Sequence, residues 1–166
     1  QVAAPAATSQ YGVIVNNDLL DSLDLTLPDT DHWTWDEFGD FAKQVSDKSG
    51  GKIIGAIAPD NGYGLQLWAR QHGESLFKGN TVAISPETLA SFLQLPADWA
   101  KNGIEGSAER WSENTAATLN DTDFGKDKQA MMIAQATQIT PYAEAAGTDN
   151  MTLVQLQIGR ASCRER

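Results

Sequence analysis

Apolar positions along this chain follow two periods. Tyr11-Gly-Val-Ile-Val15 is a continuous apolar, β-branched run of strand length, and Asn16-Asn17-Asp18 after it is a helix start. A short helix through Leu19, Leu20 and Leu23 is predicted, ending before the turn at Leu27-Pro28-Asp29. Thr34-Trp35-Asp36-Glu37 has the spacing of a capping box, in which the threonine hydroxyl and the glutamate satisfy each other's backbone amides. Phe38, Phe41, Ala42 and Val45 then recur at helical spacing until Gly50-Gly51 stops the helix.

Lys52 to Ala58 reads as a buried strand that ends in the turn Pro59-Asp60-Asn61-Gly62. Tyr63 to His72 is predicted helical, with Leu65, Trp68 and Ala69 on one face and Gly73 just past the end. Leu76-Phe77 and Thr81-Val82-Ala83 can pair as a hairpin around Lys78-Gly79-Asn80. Ser85-Pro86-Glu87 opens the next helix, in which Pro96 predicts a kink or break near Gln94. A helix over 113–124, a strand over 130–134, a helix from Pro141 to Ala146 and a strand from Thr152 to Leu156 complete the pattern. Strands alternate with helices, which means α/β layering.

Composition narrows the function classes. Of 166 residues, 41% are hydrophobic, so a core can be buried. Acidic residues outnumber basic ones 22 to 12, a net charge of −10 that disfavours a phosphate-backbone partner; nucleic acid is not expected. No stretch approaches the ~20 consecutive apolar residues of a membrane-spanning helix. The run Ile158 to Arg166 breaks with what precedes it. It holds three of the five arginines and the single cysteine, and resembles translated sequencing-adapter read-through rather than native protein, with a genuine basic tail as the alternative. Without it the balance is 9 basic to 21 acidic residues, a net −12 with no cysteine, which leaves neither disulfides nor thiol chemistry.

Most catalytic signatures are missing: there is no G-x-S-x-G, no H-E-x-x-H, no P-loop and no G-x-G-x-x-G. No catalytic residue, cofactor or metal site is expected. His32 stands among acids and His72 ends a helix, and nothing places the two together. Asp121 to Asp127 looks like a calcium loop but has glycine at the fifth position and Met132 at the twelfth, so it reads as solvated acids at a helix end. Asp60, Asn61 and Tyr63 follow a predicted buried strand, where open α/β sheets place their ligands. Such residues can hydrogen-bond vicinal hydroxyls and cover the C–H face of a sugar, and they also make an ordinary turn. Gln135, Thr137 and Gln138, after the strand ending at Ala134, form a second uncharged polar group.

Five segments carry a resemblance. Tyr11-Gly-Val-Ile-Val-Asn-Asn-Asp-Leu-Leu20, Trp33-Thr-Trp-Asp-Glu-Phe38 and Leu67-Trp-Ala-Arg-Gln-His-Gly73 come first. Ser85-Pro-Glu with Asn102-Gly-Ile104, and Phe124-Gly-Lys-Asp-Lys-Gln-Ala-Met-Met-Ile133, follow. In this order and spacing the chain resembles the family 1 extracellular solute-binding proteins of bacterial ABC sugar importers, the family that includes maltose-binding protein. The resemblance runs from about Pro5 to Leu156. It implies a type II periplasmic-binding-protein-like fold, of which this chain supplies most of the second α/β lobe. Residues 1–16 would be a hinge or crossover segment with the first strand, 17–157 the partial lobe, and 158–166 a non-native tail.

The resemblance further implies a non-catalytic, extracytoplasmic monomer. It would hold a sugar or oligosaccharide between this lobe and a first lobe outside the fragment, and deliver it to the transmembrane subunits of an ABC permease; no signal segment lies in the fragment. Asp60, Asn61 and Tyr63 would face the cleft, with Gln135 and Thr137 beside them. The family often has Gly-Trp after the strand matching 130–134; here Ala136-Thr137 stands instead, which removes one aromatic platform. Trp35 and Trp99 read as core, while Trp33 and Trp111 are open between core, surface and cleft. Two other readings stand beside this one: a secreted glycoside-active enzyme using an Asp/Glu pair, and a non-catalytic interaction lobe.

Overall fold

Tyr11–Asn16 (β1) is the middle strand of a three-stranded antiparallel sheet, between Met131–Gln135 (β4) and Met151–Gln155 (β5). The computed structural model describes residues 11–30 and 33–155. His32, most of the 1–16 segment and the 158–166 tail lie outside the described residues. Successive side chains of β1 point to opposite faces. Val13 and Val15 enter one hydrophobic cluster, with Phe38, Phe41, Trp33 and Trp99, and Ile14 enters another, with Phe124, Ala134 and Tyr142. Burial on both faces is why this strand reads as an unbroken apolar run.

Helices cover both faces. Asn17–Ser22 (α1) is capped by Asn16, whose side chain accepts from the Leu19 amide at 3.3 Å. Trp35–Lys48 (α2) starts at the expected capping box: Thr34 Oγ1 accepts from Glu37 N at 3.2 Å, and Glu37 Oε2 from Thr34 N at 2.9 Å. Gly62–Gln71 (α3) precedes the hairpin Phe77–Lys78 (β2) and Thr81–Val82 (β3), paired as expected around Gly79-Asn80. Pro86–Lys101 (α4) is capped by Ser85 and tied to the loop before the hairpin by Glu74, which accepts from Ser85 N and Oγ and from Thr88 Oγ1. Ala108–Ala116 (α5) and Ile139–Ala146 (α6) complete the lobe, a mixed α/β body whose sheet is flanked by helices.

Three expectations are corrected. Lys52 to Ala58 is no strand: Lys52 is exposed, the chain bends at 52–53, and the mostly buried stretch from Ile54 makes one parallel bridge, Ile54 to Gln129. Its amides go elsewhere, Gly55 N to Ser46 Oγ at 3.0 Å and Ala58 N to Glu105 Oε2 at 2.8 Å, so a ladder cannot propagate. The helix expected over 113–124 starts five residues earlier at Ala108, capped by Ser107, and stops at Ala116. Beyond it Thr118 Oγ1 donates to Asp121 and Thr122 Oγ1 to Leu119 O, and these local bonds hold a single 3-10 turn in place of helix. Finally, the break that Pro96 allowed does not occur: α4 is one helix through it, with Phe92 and Trp99 on either side buried in the core. Trp99 lies over Gly39 of α2, where an added Cβ would touch its ring at 3.4 Å.

Candidate functional site

The buried segment 53–58 sets the position of the loop that follows it. Gly55 crosses α2 so closely that a Cβ there would fall 1.9 Å from the Ala42 carbonyl oxygen. Only glycine permits this approach. Ser46, 3% exposed, bridges the contact: its Oγ accepts from Gly55 N and donates to Ile104 O, both at 3.0 Å. The chain then leaves the core at Pro59. Asn61 caps α3, its Oδ1 accepting from Tyr63 N at 3.1 Å and Gly64 N at 2.9 Å. With that oxygen committed, Asn61 offers a ligand its Nδ2 donor.

Asp60 and Asn61 form one wall of a cleft of about 340 Å³. The lining also includes Trp111, Asn114 and Thr115 of α5, Gln129, Met132 and Ile133 at and before β4, and Tyr142 of α6. Among the described residues that line the cleft, Asp60 is the one charged side chain, and none is a lysine or arginine. The nearby Arg110 is engaged elsewhere, its Nε donating to Asp123 at 2.7 Å and its NH2 to Lys128 O at 3.1 Å. Trp111 is 39% exposed, a large aromatic surface left open at the cleft. Such a wall suits an uncharged, hydroxyl-rich ligand with apolar C–H faces.

Tyr63, Gln135 and Thr137 are not among the residues that line the cleft. The Tyr63 ring stacks on Tyr11 with centroids 3.6 Å apart and planes 15° from parallel. Tyr11 stands opposite Gln135 in the β1–β4 register, so Tyr63, Tyr11 and Gln135 form one row. Gln135 is tied to Gln138 in a reciprocal cap of the 3-10 turn Ala136–Gln138. Thr137, in that turn, is exposed and outside the cleft lining. Trp33 is buried at 3% exposure against Phe38 and Phe41, which makes it core. Half-buried Trp35 packs there too, its indole donating to Gln71, and Trp99 is buried.

His72 packs on Trp68 at the end of α3, with Nδ1 2.9 Å from the Trp68 carbonyl oxygen, and takes no part in the cleft. Among the described residues no group of three His, Cys, Asp or Glu side chains could hold a metal ion.

Trp111, Asn114 and Gln129 were not singled out as ligand residues from sequence. Trp111, Asn114 and Thr115 stand at i, i+3 and i+4, which is one helical face; a helix beginning at 113 would leave Trp111 off it. Gln129 is 1% exposed: Nε2 donates to Met131 O at 2.7 Å, and Oε1 has no partner among the described residues. Glu105 is the most perturbed carboxyl of the region. Burial pushes it up to about 7, opposed by the Ala58 amide and assisted by the negative charge of Asp60.

A family model of bacterial extracellular solute-binding proteins matches residues 1–161. The chain belongs to this family. Its fold is that of solved solute-binding proteins. One, from Alicyclobacillus acidocaldarius, is an extracellular solute-binding protein family 1 member with a TM-score of 0.77 at 17% identity, over 91% of this chain and 37% of that one. An ABC substrate-binding protein from Listeria monocytogenes, solved with cycloalternan, gives 0.67 at 22% identity, over 92% and 38%. The GacH receptor of Streptomyces glaucescens, studied unliganded and with acarbose, gives 0.65 at 18% identity, again over 92% and 38%. Among curated proteins no sequence matches. The chain thus spans 37–38% of the length of these solute-binding proteins and forms part of one periplasmic-binding-protein-like lobe.

Proposed function

We propose that this chain is the larger part of the second lobe of a sugar-binding component of an ABC importer, with a neutral sugar or oligosaccharide as its ligand. The carrying observation is the chemistry of the cleft: one carboxylate at Asp60, amides at Asn61 and Asn114, an open Trp111 ring, and no cation to pair with a phosphate or carboxylate. Family membership, and the cycloalternan and acarbose complexes of two solved proteins of the same fold, support the reading.

The ligand is held between this lobe and a first lobe joined through the segment before Tyr11. Closure follows from the ligand's higher affinity for the closed form. The closed monomer is what the transmembrane permease subunits recognise, outside the cytoplasm, and no bond of the sugar is broken. Asp60, Asn61 and Trp111 contact the ligand, Tyr63 extends the wall at the rim, and Gln135 and Thr137 lie beyond Tyr11 toward the cleft edge.

A glycoside-active enzyme would need two carboxyls facing one ligand. Asp60 and Glu105 are the candidates, since Asp60 raises the Glu105 carboxyl. But Glu105 is not among the cleft's lining residues: it lines a small adjoining hollow, which shares Ile57 and Trp111 with the cleft, and its carboxylate is bonded to the Ala58 amide. The binding reading is therefore preferred. Thermal-shift measurement on the full-length protein with neutral oligosaccharides, cycloalternan and acarbose among them, tests it. Stabilisation by an intact sugar is expected. Release of a hydrolysis product would overturn it.

A further inference from the structure

Two elements that make no shared strand, the loop leading into α5 and the end of the buried segment 53–58, are joined by one side chain. Glu105 Oε2 accepts from Ala58 N at 2.8 Å, a contact spanning 47 positions of sequence. Ala58 is 2% exposed, and its amide is the last one inside the core before Pro59 turns the chain outward to Asp60 and Asn61. Pro59 has no N–H, and Asp60 and Asn61 are exposed, so the Ala58 bond is the final anchor between the core and the ligand loop. Gly64 pins the far side, because a Cβ there would lie 2.6 Å from Pro59 Cβ. The loop is held at both ends.

We propose that Glu105 is a positioning residue for the ligand loop, its carboxyl fixing the backbone at Ala58 so that Asp60 and Asn61 face Trp111 across the cleft. This rests on the reading of that cleft as the sugar site. The charged groups around Glu105 are Asp60 from the loop, and Arg110 and Asp123 lining the same hollow. The last two neutralise each other in a 2.7 Å ion pair. Asp60 is left as the uncompensated neighbour, and it stands in the ligand wall. Once ionised, Glu105 repels Asp60 in the ligand wall, so affinity falls as pH rises through the range where Glu105, with its carboxyl at about 7, ionises.

The test uses the full-length protein with Glu105→Ala and Glu105→Gln, whose amide oxygen still accepts. At pH 6, exchange of the Ala58 amide is expected to speed up about tenfold in Glu105→Ala and to stay near the parent rate in Glu105→Gln. Equal exchange in all three proteins overturns the anchor. With acarbose or cycloalternan as the probe, Glu105→Ala is expected to weaken binding by about fivefold, and Glu105→Gln by less than about twofold at pH 6.

The parent's affinity falls between pH 6 and pH 8 while that of Glu105→Gln stays flat. This comparison does not depend on the alanine variant folding, and parallel pH profiles overturn the proposal. If neither sugar binds the parent but the exchange rates behave as stated, the sugar reading fails and the anchor stands. If sugar binds with the exchange unchanged, the anchor fails and the sugar reading stands.

Discussion

Replacing Ser46 with alanine removes one oxygen atom from the inner face of α2 and leaves two backbone groups without partners. The Oγ accepts from Gly55 N and donates to Ile104 O, each at 3.0 Å, and both Gly55 and Ile104 are buried. A lost hydroxyl oxygen leaves a void smaller than a water molecule, so neither group is rehydrated. An orphaned buried N–H or C=O costs about 1–3 kcal/mol, which puts Ser46→Ala at about 2–4 kcal/mol. That is a large share of the ~5–15 kcal/mol that holds a typical domain together.

Ser49→Ala is the internal control. Ser49 Oγ bonds Ser46 O, Ile53 O and Ile53 N, but the residue is only part-buried and water replaces it, so about 1 kcal/mol or less is expected. Urea unfolding of the full-length protein followed by tryptophan fluorescence separates the two, because Trp33 and Trp99 lie in the core that α2 closes. Equal midpoints for Ser46→Ala and Ser49→Ala would refute the claim that this hydroxyl holds the 53–58 segment against α2.

Three further outcomes are expected. Gly55→Ala brings a methyl group to 1.9 Å from the Ala42 carbonyl oxygen, so the lobe should not reach its native fold, and far-UV circular dichroism checks this. Thr34→Ala removes the α2 cap and should cost about 1 kcal/mol in the same urea assay. The folded Glu105 carboxyl is raised from 4.5 to about 7. Its stabilising contribution is therefore complete below about pH 4.5 and is lost as pH rises through about 7. Because the side chain is partly solvated, the gain from Glu105→Gln near pH 8 is discounted to about 1–2 kcal/mol, vanishing near pH 5 in thermal melts.

The elements with a chemical start signal were legible in the sequence. The Thr34–Glu37 box, the Asn16-Asn17-Asp18 start, Ser85-Pro86 and the Gly79-Asn80 turn each satisfy backbone groups within a few residues, so their geometry is local. What was not legible depended on distant partners. The apolar run 52–58 has the composition of a strand, but Ser46 and Glu105 take two of its amides and leave a single bridge. The 108–116 helix was displaced because its Ser107 cap is followed by polar residues with little apolar periodicity.

The same displacement hid half of the cleft. Asp60 and Asn61 were legible because they stand where a core segment surfaces. Trp111 and Asn114 were not, because their facing position depends on where α5 crosses the end of segment 53–58. Gln129 gave no sequence signal at all: a glutamine before Ala-Met-Met looks like any polar residue ahead of a strand, and its burial comes from Ile54 pairing beside it.

The central claim is that the wall formed by Asp60, Asn61 and Trp111 holds an uncharged sugar. Isothermal titration of the full-length protein with acarbose and cycloalternan, repeated on Asp60→Ala and Trp111→Ala, tests it most directly. Saturable binding of at least one sugar by the parent, weakened about tenfold or more by each substitution without loss of fold, is the predicted result. Unchanged affinity in both variants would contradict it.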